Sequence, residues 1–155
     1  MNVDARKIVE TLGLFPLPRE GGFFRQTWRD AAGSAIHFLL TPEDFSALHR
    51  MRRATEIWHF YAGDRVEHLM LGTGGEAGRR TILGNDVLAA EVPQLVVPAG
   101  AWQGARLAGS GGRGWALLGC TLTPPWDDND FEPGERSALE REFPGARASI
   151  RALTR

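Results

Sequence analysis

The stretch His49-Arg-Met-Arg-Arg-Ala-Thr-Glu56-Ile-Trp-His59-Phe-Tyr-Ala-Gly63 decides the fold. A histidine and a carboxylate stand seven residues apart, an alternating aromatic run follows, and a glycine closes the segment. Period-two alternation running into glycine is the pattern of a half-buried strand entering a tight turn. Counting from Glu56, Trp58 and Phe60 share its face, while His59 and Tyr61 take the other. Burying a carboxylate alone is costly enough to force it neutral, so Glu56 predicts a partner or a purpose. His49 is the nearest candidate, and a hydrogen-bonded His49–Glu56 pair is the expectation.

Outward from this stretch the chain reads as short strands punctuated by Gly, Asn and Asp. They are expected at Phe23–Trp28, Ala35–Leu40, Ala47–Arg52, Glu56–Tyr61, Arg65–Leu71, Arg79–Leu83, Gln94–Val97, Trp102–Leu107 and Trp115–Thr123. This rhythm belongs to a β-sandwich or barrel and not to βαβ units. Asp4 is placed to cap a helix running to about Leu12, with Gly13 as its stop. Thr41-Pro-Glu-Asp44 has capping-box spacing and predicts one helical turn. The glycine-rich run Gly109–Gly114 lacks the Gly-Lys-Ser/Thr ending of a phosphate loop and reads as a hairpin tip. Glu135–Phe143 reads as a short helix ended by Pro144-Gly145, and Ala146–Leu153 has ambiguous periodicity.

At 155 residues the chain is expected to form one domain, residues 1–155, burying roughly 68–70% of its unfolded surface. Eighteen Lys and Arg against nineteen Asp and Glu give a net charge of −1, which removes the electrostatic case for nucleic acid or an anionic membrane as partner. A small molecule or a second copy of the chain is the expected partner. The lone Cys120 excludes an intramolecular disulfide, and no apolar run is long enough to span a bilayer. A cytoplasmic location is the expectation.

With these residues in view, the chain resembles the cupin superfamily. Its first motif, written G-x5-H-x-H-x3,4-E-x6-G, survives in spacing as His49-x-Met51-x4-Glu56-x6-Gly63, with Met51 at the second histidine position. The second motif, P-x-G-x2-H, appears as Pro98-Ala-Gly100-Ala-Trp-Gln103, with Gln103 where the last ligand histidine would fall. More closely, Glu20-Gly-Gly-Phe-Phe-Arg25, Phe45-Ser-Ala-Leu-His-Arg50, Leu83-Gly84 and Gly119-Cys120 resemble the Cupin-5 family, also called the domain of unknown function 985 family. Departures are Pro124-Pro-Trp126, where that family tends to have Pro-Gly-Phe, and His37, where an aromatic is more usual. The resemblance implies an all-β, single-domain cupin jelly-roll barrel with an N-terminal helix, short C-terminal helical elements and a homodimer. It also implies an activity like that of the cupin sugar epimerases.

Cupin metal centres of the common type use three His and one Glu. Here only His49 and Glu56 remain as strong ligands, Gln103 offers a neutral amide, and Met51 a soft thioether. No cofactor is expected; any divalent metal would sit weakly on His49, Glu56 and Gln103. Without metal, His49 is the candidate base, with Glu56 beside it as the second catalytic residue. Gln103, Trp102, Trp58, Phe60, Met51, Ser46 and Gln94 are the candidate ligand-binding residues, Ser46 and Gln94 on the resemblance alone. His59 and Tyr61 fall on the opposite face, and the run Arg50, Arg52, Arg53 reads as an exposed face or a dimer salt-bridge edge. Three readings stay open: an epimerase-like isomerase acting on a nucleotide sugar or related carbohydrate, a non-catalytic nucleotide or carbohydrate-binding module, and a metal-dependent oxygenase or isomerase.

Overall fold

A computed structural model of the chain describes residues 1–73, 75, 77–109 and 112–155. The chain begins with α1 (Val3–Leu12), then β1 (Phe15–Pro16), β2 (Phe23–Arg29), β3 (Ser34–Leu40), β4 (Ser46–Met51), β5 (Thr55–Gly63), β6 (Val66–Leu71) and β7 (Arg79–Leu83). After a short 3-10 turn come β8 (Gln94–Val97), β9 (Trp102–Leu107), β10 (Ala116–Thr123) and β11 (Phe131–Pro133), and α2 (Arg136–Glu142) and α3 (Arg147–Ala152) end the fold. Two antiparallel sheets face each other, in the orders β1-β2-β3-β10-β5-β8 and β11-β4-β9-β6-β7. This is the expected all-β jelly roll, in which each sheet supplies one wall of a common interior.

Alternation does the sorting. Along β5, Glu56, Trp58 and Phe60 are buried while Ile57, His59 and Tyr61 are more open, as the pleat requires. Opposite them β10 places Leu118, Cys120 and Leu122 on the same inner face, Cys120 paired with Trp58 and Leu122 with Glu56. Trp58 is wholly buried and packs edge-on to Phe38, filling one end of the barrel with Leu40, Val66, Met70 and Leu83. The outer face of the five-stranded sheet would be left bare by this arrangement. The C-terminal helices cover it, setting Leu139, Phe143, Ile150 and Leu153 against Leu48, Leu69, Leu71 and Trp102. Burial of each such side chain is worth roughly 1.5–3 kcal/mol.

Several local expectations change. Asn2, not Asp4, caps α1, its side chain accepting from the Ala5 amide; Asp4 lies in the first turn. Thr41–Asp44 makes a turn and not a helical one, because the Asp44 carboxylate is used across the chain to accept from the Gly22 and Phe45 amides. Gly109–Gly114 cannot tip a hairpin, since β9 and β10 lie in different sheets; the segment crosses between them, and Ser110 and Gly111 lie outside the described residues. The arginine run keeps its expected exposure at Arg52 and Arg53, and its ion pairs are made within the chain: Arg50 and Arg52 both reach Glu132, at 2.8 and 2.9 Å, and Arg53 reaches Asp127 and Asp130. No helix among the described residues is long and apolar enough to cross a membrane.

Candidate functional site

One cavity of about 260 Å³ opens between the two sheets, with Glu56 and Cys120 in its wall. Its polar wall carries Glu20, His49 and Glu56, its apolar wall Phe24, Ile36 and Trp126. A volume a little under the ~300–1,000 Å³ of ordinary ligand sites suits a single small ring.

His49 and Glu56 reach this space from opposite sheets, on β4 and β5. Their delivery depends on a β-bulge. Ser46 pairs with Ala105 and His49 with Gln103, so β4 takes three steps where β9 takes two. Simple alternation would turn Ser46 and His49 to opposite faces; the extra residue turns both inward. Glu20 comes from the β1–β2 connection. That loop closes on itself through Leu17 N–H to Gly22 O at 2.9 Å and Gly21 N–H to Leu17 O at 3.0 Å, and is stapled to β4 by Ala47 N–H donating to Glu20 O at 2.8 Å. The fold-back needs Gly22 at φ +74°, where a Cβ would press on the Phe38 ring and Leu39 O. The Glu20 carboxylate is thereby brought to the Ser46 hydroxyl, which donates to Oε1 at 2.8 Å.

His49 Nδ1 lies 2.8 Å from Ala47 O. A carbonyl only accepts, so Nδ1 carries the ring proton and Nε2 faces the cavity, 3.9 Å from Glu20 Oε2. The ring also stacks on Phe131, with centroids 5.3 Å apart.

Glu56 is held differently. The Trp58 indole donates to Gln103 Oε1 at 2.8 Å, and an indole N–H can do nothing else. The Gln103 amide is therefore oriented with Nε2 toward Glu56, donating to Oε2 at 2.5 Å. Burial pushes the Glu56 carboxyl up to about 7, with the His49 charge opposing, Glu20 assisting and the Gln103 hydrogen bond opposing. Behind this pair His68 Nε2 sits 3.3 Å from Gln103 Oε1, and burial holds the imidazole down at about 4. The Cys120 thiol on the cavity wall is pushed well above its ordinary value by burial and the neighbouring carboxylates, which makes it a poor nucleophile.

The expected His49–Glu56 hydrogen bond is replaced by two separate attachments, His49 to Ala47 O with Glu20 opposite, and Glu56 to Gln103. Gln103 and Trp58 lie behind the cavity wall and act on Glu56 instead of lining the space. Ser46 likewise acts through Glu20. Trp102, next to Gln103 in β9, points to the outer face, under the C-terminal helices and the Arg50 guanidinium, because neighbours on a strand face opposite ways. Phe60 belongs to the closed core, and Met51 packs with Ala54, Leu122 and Phe131. Gln94 is exposed on edge strand β8 beside His59. None of these four lines the cavity. Tyr61 stands outside the barrel, edge-on to His37.

A family described as cupin superfamily (DUF985) matches residues 6–133. The chain belongs to this family. A hypothetical protein from Leishmania major superposes with a TM-score of 0.89 at 29% identity, covering 97% of this chain and 98% of that one. A protein from Shewanella oneidensis superposes with a TM-score of 0.85 at 31% identity, covering 100% and 98%. Pac13 from Streptomyces, described as a nucleoside dehydratase and seen with uridine in a substituted variant, shares the fold alone at 10% identity and a TM-score of 0.56, over 79% of this chain and 85% of its own. No curated protein matches the chain.

The donor set of this cupin does not fit the metal its superfamily implies. Met51 points its thioether into an apolar cluster, and the Gln103 oxygen is taken by Trp58, leaving an NH₂ group turned toward Glu56. Among the described residues no three His, Cys, Asp or Glu side chains gather as a metal site. Sequence reasoning had missed Glu20, Phe24, Trp126 and the rim pair Arg19–Asp128, joined at 2.8 Å. Glu20 opens one of the family-like segments and could have been found there; turn composition masked its inward aim.

Proposed function

We propose that this cupin catalyses metal-independent proton transfer on a small carbohydrate, as an isomerase of the epimerase kind. His49 Nε2 takes the proton from a carbon next to a carbonyl, and the C–H electron pair moves into the enolate. Glu56 in its protonated form delivers a proton to the other face of the same carbon. The carrying observation is that the two groups enter one cavity from opposite sheets, the imidazole with its free nitrogen inward and the carboxyl with its proton held to about pH 7. An acid and a base separated in this way suit a two-faced transfer better than the hydrogen-bonded pair the sequence suggests. The edge strand β8, with Val96 half exposed, supports the further reading that two copies pair as a homodimer.

The test is solvent deuterium entering a sugar carbon in the presence of protein, followed by mass spectrometry across a panel of ketoses and aldoses. Exchange lost in both His49→Ala and Glu56→Gln supports the assignment. Equal exchange in His49→Ala sinks it, and ligand binding without exchange in the parent protein leaves a non-catalytic binding module in its place.

A further inference from the structure

We propose that the cavity admits an uncharged, hydroxyl-bearing ring of single-sugar size and turns away its phosphorylated forms, with Glu20 as the residue that sets this preference. The inference rests on the reading that this cavity is the reaction site, and it names the substrate class of that site.

Two acceptor atoms face each other across the cavity. Glu20 Oε1 is occupied by the Ser46 hydroxyl, while Oε2 looks across 3.9 Å to His49 Nε2. With the ring proton on Nδ1, both facing atoms are acceptors. They are too far apart to touch and share no hydrogen of their own. A ligand group that donates, such as a hydroxyl, bridges or occupies this gap; a phosphate oxygen brings only lone pairs and negative charge to it.

The charges around the gap point the same way. Glu20 and Asp128 bring negative charge to the lining against Arg19, while Glu56 keeps its proton up to about pH 7 and His49 carries its single ring proton on Nδ1. The one lining guanidinium among the described residues, Arg19, is bound to Asp128 at 2.8 Å, with its carbon 4.7 Å over the Phe131 ring. A phosphate forked by this guanidinium, the arrangement by which phosphates are ordinarily held, has to compete with Asp128 for it. Beside the apolar wall of Phe24, Ile36 and Trp126, repulsion between carboxylate and phosphate is stronger than in bulk solvent. Phe24 and Trp126 remain as apolar contacts for the C–H groups of a ring. The nucleotide-sugar substrate implied by the family resemblance is the one this charge pattern disfavours.

The experiment is isothermal titration of the full chain with matched pairs: ribose and ribose 5-phosphate, glucose and glucose 6-phosphate, galactose and UDP-galactose. At least one uncharged member is expected to bind at least about tenfold more tightly than its phosphorylated partner. Glu20→Gln, which keeps shape and removes charge, is expected to erase most of that gap, whereas Glu20→Asp keeps it; circular dichroism confirms that both variants fold. Glu67→Gln, on the outer surface, is expected to leave the gap intact. Phosphorylated members binding equally or better, no uncharged member binding at millimolar concentration, or a gap that persists in Glu20→Gln would each overturn the proposal. Titration reads no turnover, so the two readings fail separately. Uncharged ligands bound without deuterium exchange count against the isomerase alone, and exchange on a phosphorylated sugar counts against this selectivity alone.

Discussion

Replacing Glu56 by Gln should change the shape of the stability–pH curve, because two buried groups in contact with Gln103 oppose each other. The Glu56 carboxyl is raised from 4.5 to about 7, so the folded chain keeps a proton that the unfolded chain gives up. Stability from this group is fully present below pH 4.5 and falls as pH rises to about 7. That span, at about 1.4 kcal/mol per pH unit, is worth about 3 kcal/mol. His68 runs the other way. Its imidazole is lowered from 6.5 to about 4, so the unfolded chain takes up a proton that the folded chain refuses, and stability is lost as pH falls through that window. The magnitude is again about 3 kcal/mol. In the parent protein the two slopes nearly cancel between about pH 4.5 and 6.5. Glu56→Gln removes one of them and, as a neutral isostere, keeps the acceptor that Gln103 needs. The variant should match the parent at pH 4.5 to within about 1 kcal/mol, the worth of one altered hydrogen bond. It should exceed it by about 3 kcal/mol above pH 7, or roughly 6–12 °C in melting temperature. Urea unfolding at several pH values, with m held common, measures this directly. Parallel curves for parent and variant across that range would refute the account of Glu56 as a carboxyl held neutral by burial.

Two further outcomes follow from the same geometry. Asp130 is buried and accepts from the Arg53 and Ala54 amides at 2.8 and 3.0 Å, so Asp130→Ala strands both donors and should cost about 2–3 kcal/mol in urea unfolding, with Asp130→Asn costing less. Trp58→Phe removes the donor that orients Gln103, so its amide is free to turn its oxygen toward Glu56; deuterium exchange should fall about tenfold or more and its pH profile should move upward, a shift that simple loss of packing would not produce.

The fold was legible because the interior is sorted by period two. Nine strands could be read from alternation and turn residues, and the inward set Glu56, Trp58 and Phe60 followed from counting alone. β1 and β11 were not legible, being two and three residues long and set among prolines. The site was legible where a motif spacing pointed to it, at His49, Glu56 and Gln103, and illegible where function depends on a departure from alternation. Ser46 lies three residues from His49 and shares its side only through the bulge. Glu20 lies in turn-like sequence, and its inward aim comes from hydrogen bonds to β4 that no local pattern encodes. His68 had no motif at all; its place behind Gln103 is a consequence of β6 pairing with β9.

The bulge in β4 makes this segment more tolerant of changed letters than of changed length. A substitution at Ser46 or His49 alters one contact, but deleting one residue between them restores even alternation and sends one of the two to the outer surface. With Ser46 turned away, the Glu20 loop loses its hydroxyl anchor, and the side of the cavity built by the β1–β2 connection loosens although no cavity residue has changed identity. In judging whether a related chain has kept this cavity, an alignment gap across positions 46–49 therefore weighs more than several mismatches around it.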